Sequence, residues 1–319
     1  MPLIACPIAD GGRAVRMTAR TPTEARLPVT FACLGPDPNP TPPKFKMPPG
    51  ATDCHSHVIG LPPDYPFVPE RSYTPPEASL EMYRAMHLAL GIERAVIVTP
   101  SVHGTDNRIT VEAIAGYGPN ARGIAVVDAD VSDAALESLN AGGIRGIRLN
   151  VLFGGGVGLD AFAPLAGRVK ALGWHIQLLI NVGHDLLGIE DQLRSLGVPV
   201  VIDHMGYLPV SESLDHPGFQ ALLRLVRDGI CWIKLSGNYR ISEAYPDYRD
   251  AIPTALALIE ARHENMVWGT DWPHVSLAKN MPDTGLLLSA LEDYAPDAGL
   301  RHAILVDNPA RLYGFPPAA

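Results

Sequence analysis

The stretch GATDCHSHVIG, residues 50–60, places one aspartate and two histidines at alternate positions of a small and apolar segment. In an extended strand Asp53, His55 and His57 point to the same face, because side chains alternate along a strand. Three interpretations follow: a catalytic metal site, a catalytic site without metal, or a buried strand whose histidines are structural. The sequence around this stretch narrows the choice.

From residue 51 onward, short apolar runs alternate with amphipathic segments. Several runs are apolar almost throughout, as parallel strands buried on both faces are. The helical segments between them stop at glycines such as Gly91, and the segment from Ser132 begins at a serine, both of which are favourable helix caps. The predicted strands are ATDCHSHV (51–58), RAVIVTP (94–100), RGIAVVD (122–128), GIRGIRLN (143–150), WHIQLLI (174–180), VPVVIDH (198–204), ICWIKLSG (230–237) and NMVWGTD (265–271).

Eight strand–helix repeats predict an α/β fold, a (β/α)8 TIM barrel that forms a single domain over residues 51–319. The sequence separation between His55 and Asp271, divided over the seven steps from the first strand to the eighth, corresponds to roughly 30 residues per repeat, which is usual for this barrel. An open doubly wound sheet is the alternative, but no GxGxxG loop follows the first strand. The glycine-rich FGGGVG, residues 153–158, is predicted to be a flexible active-site loop after the fourth strand.

Residues 1–50 differ in composition from the rest of the chain. Their second half, LPVTFACLGPDPNPTPPKFKMPPG (27–50), is rich in prolines. Proline fixes the backbone and removes an amide donor, so neither a helix nor a central strand is expected there. We expect an extended proline-rich N-terminal arm, disordered or wrapped over the domain, with little part in the chemistry.

The chain has 319 residues, a formal net charge of −9 and 47% hydrophobic residues, which suits a globular protein with a sizeable core. Its negative charge argues against binding to nucleic acid or to anionic membranes. We find no apolar run long enough to cross a bilayer, no secretory signal and no CxxC pair among four cysteines. We expect a cytoplasmic protein that acts on a small molecule, with a homo-oligomer as a possible assembly.

Polar residues follow several of the predicted strands, at the end of the barrel where active sites lie. His55 and His57 are on the first strand, His204 follows the sixth and Asp271 follows the eighth. A single histidine at a strand end is more often structural, but these residues together at barrel spacing favour chemistry. The pattern predicts one catalytic site, with Asp53 as a supporting residue deeper on the same face.

Longer motifs carry a resemblance to a known family. In the order, spacing and local sequence of its motifs the chain resembles the amidohydrolase superfamily, in its amidohydrolase-2 branch. Within that branch it is most similar to the 2-pyrone-4,6-dicarboxylate lactonases and related lactonases. The resemblance covers about residues 42–315 and implies an amidohydrolase-like barrel that hydrolyses a cyclic ester. Its motifs are DCHSHV (53–58), SVHGTDN (101–107), ARGIAVVD (121–128), GIRGIRLN (143–150), VVIDHMG (200–206), VWGTDWPH (267–274) and VDNPARLYGF (306–315).

The resemblance implies roles for four residues. Asp271 would activate a water as general base, and His55, His57 and His204 would polarise the substrate carbonyl. The same four residues would hold one divalent ion, Zn²⁺ or Mn²⁺, if the enzyme binds one. We favour a reaction that requires no metal, because the fifth predicted strand lacks a histidine at its active-site end, as in metal-independent lactonases of this branch.

The resemblance also implies a substrate pocket. Tyr207 and the loop after IRLN stand where the dicarboxylate lactonases have basic residues, so this pocket carries less positive charge. We expect a lactone with one anionic group, or a more apolar lactone. His103 either shapes this pocket or caps the next helix. The positions that match substrate-binding residues of the family are Arg148, Arg240, Ser101 and Tyr73.

Three alternative functions stay open at this point. The first is a metal-dependent decarboxylase or hydratase of the same branch, and the second is a lactone isomerase. The third is a barrel that binds a ligand without catalysis. A carboxylate that faces three imidazoles argues against this last alternative, because such a set is characteristic of catalytic sites.

Overall fold

The computed structural model describes residues 30–317. At its centre eight parallel strands each pair with the next strand along the chain and form a nearly closed barrel. This confirms the predicted (β/α)8 TIM barrel. The strands are β1 (Thr52–Ser56), β2 (Arg94–Val98), β3 (Ala121–Ala125), β4 (Ile144–Asn150), β5 (His175–Leu179), β6 (Val200–Ile202), β7 (Cys231–Leu235) and β8 (Met266–Trp268).

Helices surround the barrel. The predicted C-cap of the first helix is present, since Gly91 ends the helix with φ +73°, and at its start the Ser79 side chain accepts a hydrogen bond from the Met82 amide. None of the helices within residues 30–317 is long and apolar enough to cross a membrane. The helices are α1 (Leu80–Leu90), α2 (Arg108–Tyr117), α3 (Asp133–Ala141), α4 (Phe162–Ala171), α5 (Glu190–Ser195), α6 (Pro217–Arg227), α7 (Asn238–Ile241), α8 (Ile252–Arg262), α9 (Thr284–Ser289), α10 (Leu291–Tyr294), α11 (Ala298–His302) and α12 (Asn308–Tyr313).

The first and last strands close the barrel through backbone groups beyond their regular ladders. The Asp271 amide donates to the His55 carbonyl oxygen at 2.8 Å, and the His57 amide donates to the Trp272 carbonyl oxygen at 2.8 Å. Gly269 permits this close approach, since a Cβ there would lie 2.6 Å from the His55 nitrogen. We call this contact between the two strands the seam.

The expectation that Asp53 shares a face with the histidines is wrong. A register shift between Asp53 and Ser56 interrupts the alternation of β1, as a bulge does. As a result Cys54 packs in the cluster of apolar residues inside the barrel. The Asp53 carboxylate instead accepts hydrogen bonds from Tyr83 and His87 of α1, at 3.0 and 3.2 Å.

Asp53 also supports the seam. Its carboxylate oxygens accept from the Thr270 amide at 2.8 Å and from the Thr270 hydroxyl at 2.6 Å. One fully buried carboxylate therefore links β1, α1 and the segment that follows β8. Because a buried carboxylate is stable only when its oxygens are hydrogen-bonded, these partners and Asp53 depend on each other.

The described part of the predicted arm, residues 30–50, lies against the barrel, and residues 1–29 fall outside the described residues. Phe31–Ala32 pairs in parallel with Tyr73–Thr74 in a separate two-stranded sheet. Further along, the Thr41 amide donates to the Asp283 carboxylate at 3.0 Å. Residues 30–50 thus follow the wrapped form of the two that were expected, and the expectation for residues 1–29 stays a prediction.

Replacement of Asp53 tests the support of the seam. We expect Asp53→Asn to lower the free energy of unfolding by about 3 kcal/mol, because the amide cannot accept all the hydrogen bonds that the carboxylate accepts. Urea unfolding followed by circular dichroism measures this change. The exposed Asp130→Asn is the control. Equal unfolding midpoints for Asp53→Asn and the control would contradict the proposed support.

Candidate active site

His55, His57, His204 and Asp271 meet at the C-terminal end of the barrel. The Nε2 atoms of His55 and His57 are 3.3 Å apart, and they lie 3.8 and 3.9 Å from Oδ1 of Asp271. Nε2 of His204 lies 3.7 Å from the other carboxylate oxygen, Oδ2. Each of the four residues is at most 2% exposed. Their polar atoms therefore face one another away from bulk water.

Two neighbours hold one oxygen of Asp271 and leave the other free. Oδ2 accepts from the Tyr239 hydroxyl at 2.6 Å and from Nε of Arg240 at 2.9 Å. Oδ1 is buried and has no hydrogen-bond partner among residues 30–317. Burial raises the pKa of this carboxyl, but the Arg240 guanidinium outweighs this effect and holds the pKa well below its usual value. Oδ1 is thus an ionised oxygen available as a base or a ligand.

The Tyr239 hydroxyl has a second partner behind it. Nδ1 of His274 lies 3.3 Å from this hydroxyl, and Nε2 of His274 lies 2.9 Å from the Thr284 hydroxyl. Burial lowers the pKa of His274 to about 4, so the ring is neutral near pH 7. The series from Thr284 through His274 to Tyr239 holds Oδ2 of Asp271 in place.

The three central histidines are neutral as well. Burial lowers the pKa of His57 to about 3 and that of His204 to about 4, and it lowers the pKa of His55 well below its ordinary value. Nδ1 of His57 donates to the Val98 carbonyl oxygen at 2.8 Å. Nδ1 of His204 lies 3.0 Å from the Ser236 hydroxyl. These contacts fix the rings and direct each Nε2 toward Asp271.

A second group of buried polar residues lies behind His55. Nζ of Lys234 is 3.2 Å from Nδ1 of His55, 2.6 Å from Oε1 of Gln177 and 3.5 Å from Oδ1 of Asp203. Nε2 of Gln177 donates to Oδ2 of Asp203 at 2.9 Å. Burial raises the pKa of Asp203, but the charges of Lys234 and Arg148 lower this pKa by more, so the carboxylate is ionised. Lys234 and Asp203 thus form a buried ion pair.

The residues present include the ligand types of one divalent ion. Nitrogen atoms of His55 and His57 and an oxygen of Asp271 lie within 4.8 Å of one another, and the buried Oδ1 of Asp271 is unpartnered among the described residues. Imidazole and carboxylate are the ligand types that Zn²⁺ accepts. Two cations already contact these ligands, however: Arg240 contacts Asp271 and Lys234 contacts His55. Their charges oppose the binding of a further cation.

The two arginines predicted to bind substrate have different environments. Arg148 is 5% exposed, and its Nε lies 3.4 Å from Asp203 without forming a hydrogen bond. Arg240 is already engaged, since its Nε and Nη1 donate to Asp271 and to the Val275 carbonyl oxygen. Arg148 is therefore the better candidate for an anionic group of a ligand.

The other predicted pocket residues also divide into two groups. The Tyr73 hydroxyl lies 3.4 Å from the Ser101 hydroxyl, and the Tyr207 ring lies 6.0 Å from the His204 ring. Tyr207 thus borders the candidate site, whereas Tyr73 and Ser101 contact each other. His103 instead packs against the rings of Tyr65 and Phe67, and its Nδ1 lies 3.4 Å from the Pro66 carbonyl oxygen.

The glycine-rich loop after β4 covers the site. Its Phe153 ring lies 5.9 Å from the Tyr73 ring and 6.5 Å from the Tyr207 ring. The Gly154 amide donates to the Ser72 hydroxyl at 2.7 Å, and a Cβ at Gly154 would lie 2.1 Å from a backbone oxygen. Only glycine fits there. Because the catalytic side chains are almost fully covered, substrate entry requires such covering segments to move.

The sequence reasoning missed four residues of the site. Lys234 gave a usable signal, because it is the only charged residue in the apolar strand ICWIKLSG. Asp203 also gave one, since it stands directly before His204 at the end of an apolar run. For Gln177 and Tyr239 no pattern in the sequence indicated a contact with the catalytic residues.

Comparison with known proteins gives the family. The amidohydrolase family profile matches residues 52–315. The chain belongs to the amidohydrolase family. This amidohydrolase is 40% identical over 290 residues to the 2-pyrone-4,6-dicarboxylate hydrolase of Comamonas testosteroni, which covers 86% of this chain and 93% of that protein. It is 38% identical over 300 residues to the 4-sulfomuconolactone hydrolase of Hydrogenophaga intermedia, and the alignment covers 92% of this chain and 98% of that protein.

A solved structure is similar along almost the same length. It is a probable 2-pyrone-4,6-dicarboxylic acid hydrolase from Acinetobacter baumannii with citric acid bound. The TM-score is 0.75 and the identity 28%, over 83% of this chain and all of that one. The predicted relationship to the lactone-hydrolysing amidohydrolases is therefore confirmed.

The environment of Arg148 predicts anion binding. We expect benzoate to bind the wild-type amidohydrolase and Arg148→Met to weaken this binding at least about tenfold, because a charge-assisted hydrogen bond is lost. Isothermal titration calorimetry measures the affinity. Arg145→Met is the matched control, since Arg145 lies on the same strand but its guanidinium donates to the Asn140 carbonyl oxygen of the preceding helix α3. An unchanged affinity in Arg148→Met would contradict the assignment.

Proposed function

We propose that this amidohydrolase hydrolyses a small lactone that carries one anionic group, and that it requires no metal ion. The observation that supports this best is the free, ionised Oδ1 of Asp271 facing the imidazoles of His55 and His57. A general base needs such an oxygen, and a carbonyl under attack needs hydrogen-bond donors beside it. The two relatives named for lactone hydrolysis support the reaction class.

The geometry supports a two-step mechanism. Oδ1 of Asp271 takes a proton from a water molecule, whose oxygen adds to the lactone carbonyl carbon. The carbonyl oxygen gains negative charge in the tetrahedral intermediate and accepts hydrogen bonds from the imidazoles of His55 and His204, while His57, whose proton lies on Nδ1, packs beside them. When the intermediate collapses, the bond to the ring oxygen breaks and the Asp271 carboxylic acid returns its proton to that oxygen. Lactone and water thus give one hydroxy acid.

Tyr239 and Arg240 prepare Asp271 for this role. They bind Oδ2, so that proton transfer takes place at Oδ1. The Arg240 guanidinium also stabilises the ionised carboxylate in a site that excludes water. These contacts give Asp271 its counter-charge from within the protein, and this is the reason we propose that no metal is required.

If a divalent ion does bind, the residues that would hold it are His55, His57 and Asp271, with His204 beside them. Bound there, Zn²⁺ or Mn²⁺ would polarise the carbonyl and lower the pKa of a water. The two cations that already contact these ligands favour the metal-free form.

Charge balance supports a substrate with a single anionic group. Two buried carboxylates, Asp203 and Asp271, face three buried cations, and the histidines between them are neutral. The site therefore carries one positive charge in excess, which an anionic ligand would neutralise. The rings of Phe153, Tyr73 and Tyr207 supply an aromatic wall for its planar body. The cations are Lys234, Arg148 and Arg240.

A panel of lactones tests the proposed reaction. We expect ring opening to be fastest for planar lactones with one carboxylate, and slower for neutral or dicarboxylated analogues, when hydroxy-acid release is followed by pH-stat titration. Asp271→Asn should lower kcat by about 10²- to 10⁴-fold, since it removes the general base. Ring opening at the wild-type rate in Asp271→Asn would exclude this mechanism.

Chelation tests the absence of a required metal. After prolonged dialysis against a chelator, we expect kcat to stay within about twofold of its starting value, because Arg240 already balances the charge of Asp271. Elemental analysis of the same sample shows whether metal is absent. Loss of turnover on dialysis and its recovery with added Zn²⁺ or Mn²⁺ would show that a metal is required.

A further inference from the structure

A row of hydrogen bonds passes through both histidines of the GATDCHSHVIG stretch. It begins at Nζ of Lys234, which lies 3.2 Å from Nδ1 of His55. It continues across the 3.3 Å between the two Nε2 atoms and ends at Nδ1 of His57, 2.8 Å from the Val98 carbonyl oxygen. Every nitrogen of both rings takes part in this row.

The two ends of the row fix its direction. A carbonyl oxygen only accepts, so Nδ1 of His57 carries a proton and its Nε2 is an acceptor. An ammonium group only donates, so Nδ1 of His55 is an acceptor and the proton of the neutral ring is on Nε2. The remaining bond then runs from Nε2–H of His55 to Nε2 of His57. Each bond has one donor and one acceptor.

The surroundings of Lys234 show that its nitrogen is the donor. It is within hydrogen-bond distance of Oε1 of Gln177 and Nδ1 of His55, and the Asp203 carboxylate 3.5 Å away is the counter-charge of an ammonium group. Gln177 is oriented by Asp203, because its amide nitrogen donates to that carboxylate. Its oxygen therefore faces Lys234 and can only accept.

Asp203 does not compete for the same nitrogen of His55. Its Oδ1 lies 3.3 Å from Nδ1 of His55, but this oxygen has no hydrogen-bond partner among the described residues. The hydrogen bond at Nδ1 is the one from Lys234. Lys234, and not Asp203, thus determines which nitrogen of the neutral His55 ring carries the proton.

We propose that Lys234 is a positioning residue that keeps the proton of His55 on Nε2, so that His55 donates a hydrogen bond into the site and does not bind a metal ion. A metal ligand needs the Nε2 lone pair, which moves the ring proton to Nδ1. There it would meet an N–H of Lys234 instead of an acceptor. The catalytic use of the Nε2–H group rests on the proposed lactone hydrolysis, whereas the position of the proton does not.

Removal of Lys234 should move the proton of the His55 ring from Nε2 to Nδ1. Without the ammonium group, Oδ1 of Asp203 is the nearest partner of Nδ1 of His55, at 3.3 Å. A carboxylate that accepts from one nitrogen of a histidine directs the lone pair of the other nitrogen outward, which is the usual support of a metal-binding histidine. The same side chains would then favour a metal site.

Nuclear magnetic resonance of the wild-type protein tests the first part. Histidines labelled with ¹⁵N give different shifts and couplings for Nε2–H and Nδ1–H rings, and His55→Asn assigns the signal. We expect an Nε2–H ring for His55 and an Nδ1–H ring for His57. An Nδ1–H ring for His55 in the wild-type protein would overturn the proposal without any need for a lysine variant.

The effect of Lys234 on metal binding is tested with Lys234→Met, and the exposed Lys170→Met is the matched control. We expect Lys234→Met to bind Co²⁺ at least about 10-fold more tightly than the wild type, because a carboxylate partner of a metal-binding histidine changes metal affinity by about this factor. Visible absorption during titration with Co²⁺ measures this, and the His55 ring should change to Nδ1–H. Equal Co²⁺ affinities in a folded Lys234→Met would overturn the proposal.

These measurements separate the proposal from the proposed function. If the His55 ring carries its proton on Nε2 but no lactone is opened, the lactonase assignment fails and the role of Lys234 stands. If lactones are opened but His55 is an Nδ1–H ring, the role of Lys234 fails and the lactonase assignment stands.

Discussion

The seam between β1 and the segment after β8 uses the residues that carry the proposed chemistry. The His55 carbonyl accepts from the Asp271 amide, and the His57 amide donates to the Trp272 carbonyl. The backbone groups that close the barrel therefore also set the distance between the base and the imidazoles. A change that widens the barrel at this point would separate them. Stability and catalysis share one set of contacts, and Asp53 supports both from the outer side of β1.

The ionised side chains inside the barrel depend on the partners that are buried with them. A buried carboxylate is tolerated only when cations and donors surround it, and each carboxylate of the site has a dedicated cation: Lys234 for Asp203 and Arg240 for Asp271. The pairs keep both carboxylates ionised and leave the histidines neutral. Neutral imidazoles offer one donor and one acceptor each. The direction of their hydrogen bonds then becomes a property that neighbouring residues can set.

Much of this arrangement could be predicted from the sequence, and the predictions that were wrong or missing have physical causes. Apolar runs at barrel spacing predicted the eight strands, and polar residues at the strand ends predicted His55, His57, His204 and Asp271 as neighbours. Asp53 was misplaced because a bulge breaks the two-residue alternation, and no residue type marks this one. Lys234 and Gln177 were missed because inward and outward positions of a buried strand look alike in sequence.

The loop that carries Phe153 also affects the fate of the proton. While its Gly154 amide is bonded to Ser72, the catalytic side chains are almost out of reach of bulk solvent. A proton that Asp271 takes from the attacking water then has no solvent to which it can escape. It stays on the carboxyl until the ring oxygen leaves and receives it. The hydrogen on the newly formed hydroxyl would then come from the same water molecule that supplies the attacking oxygen.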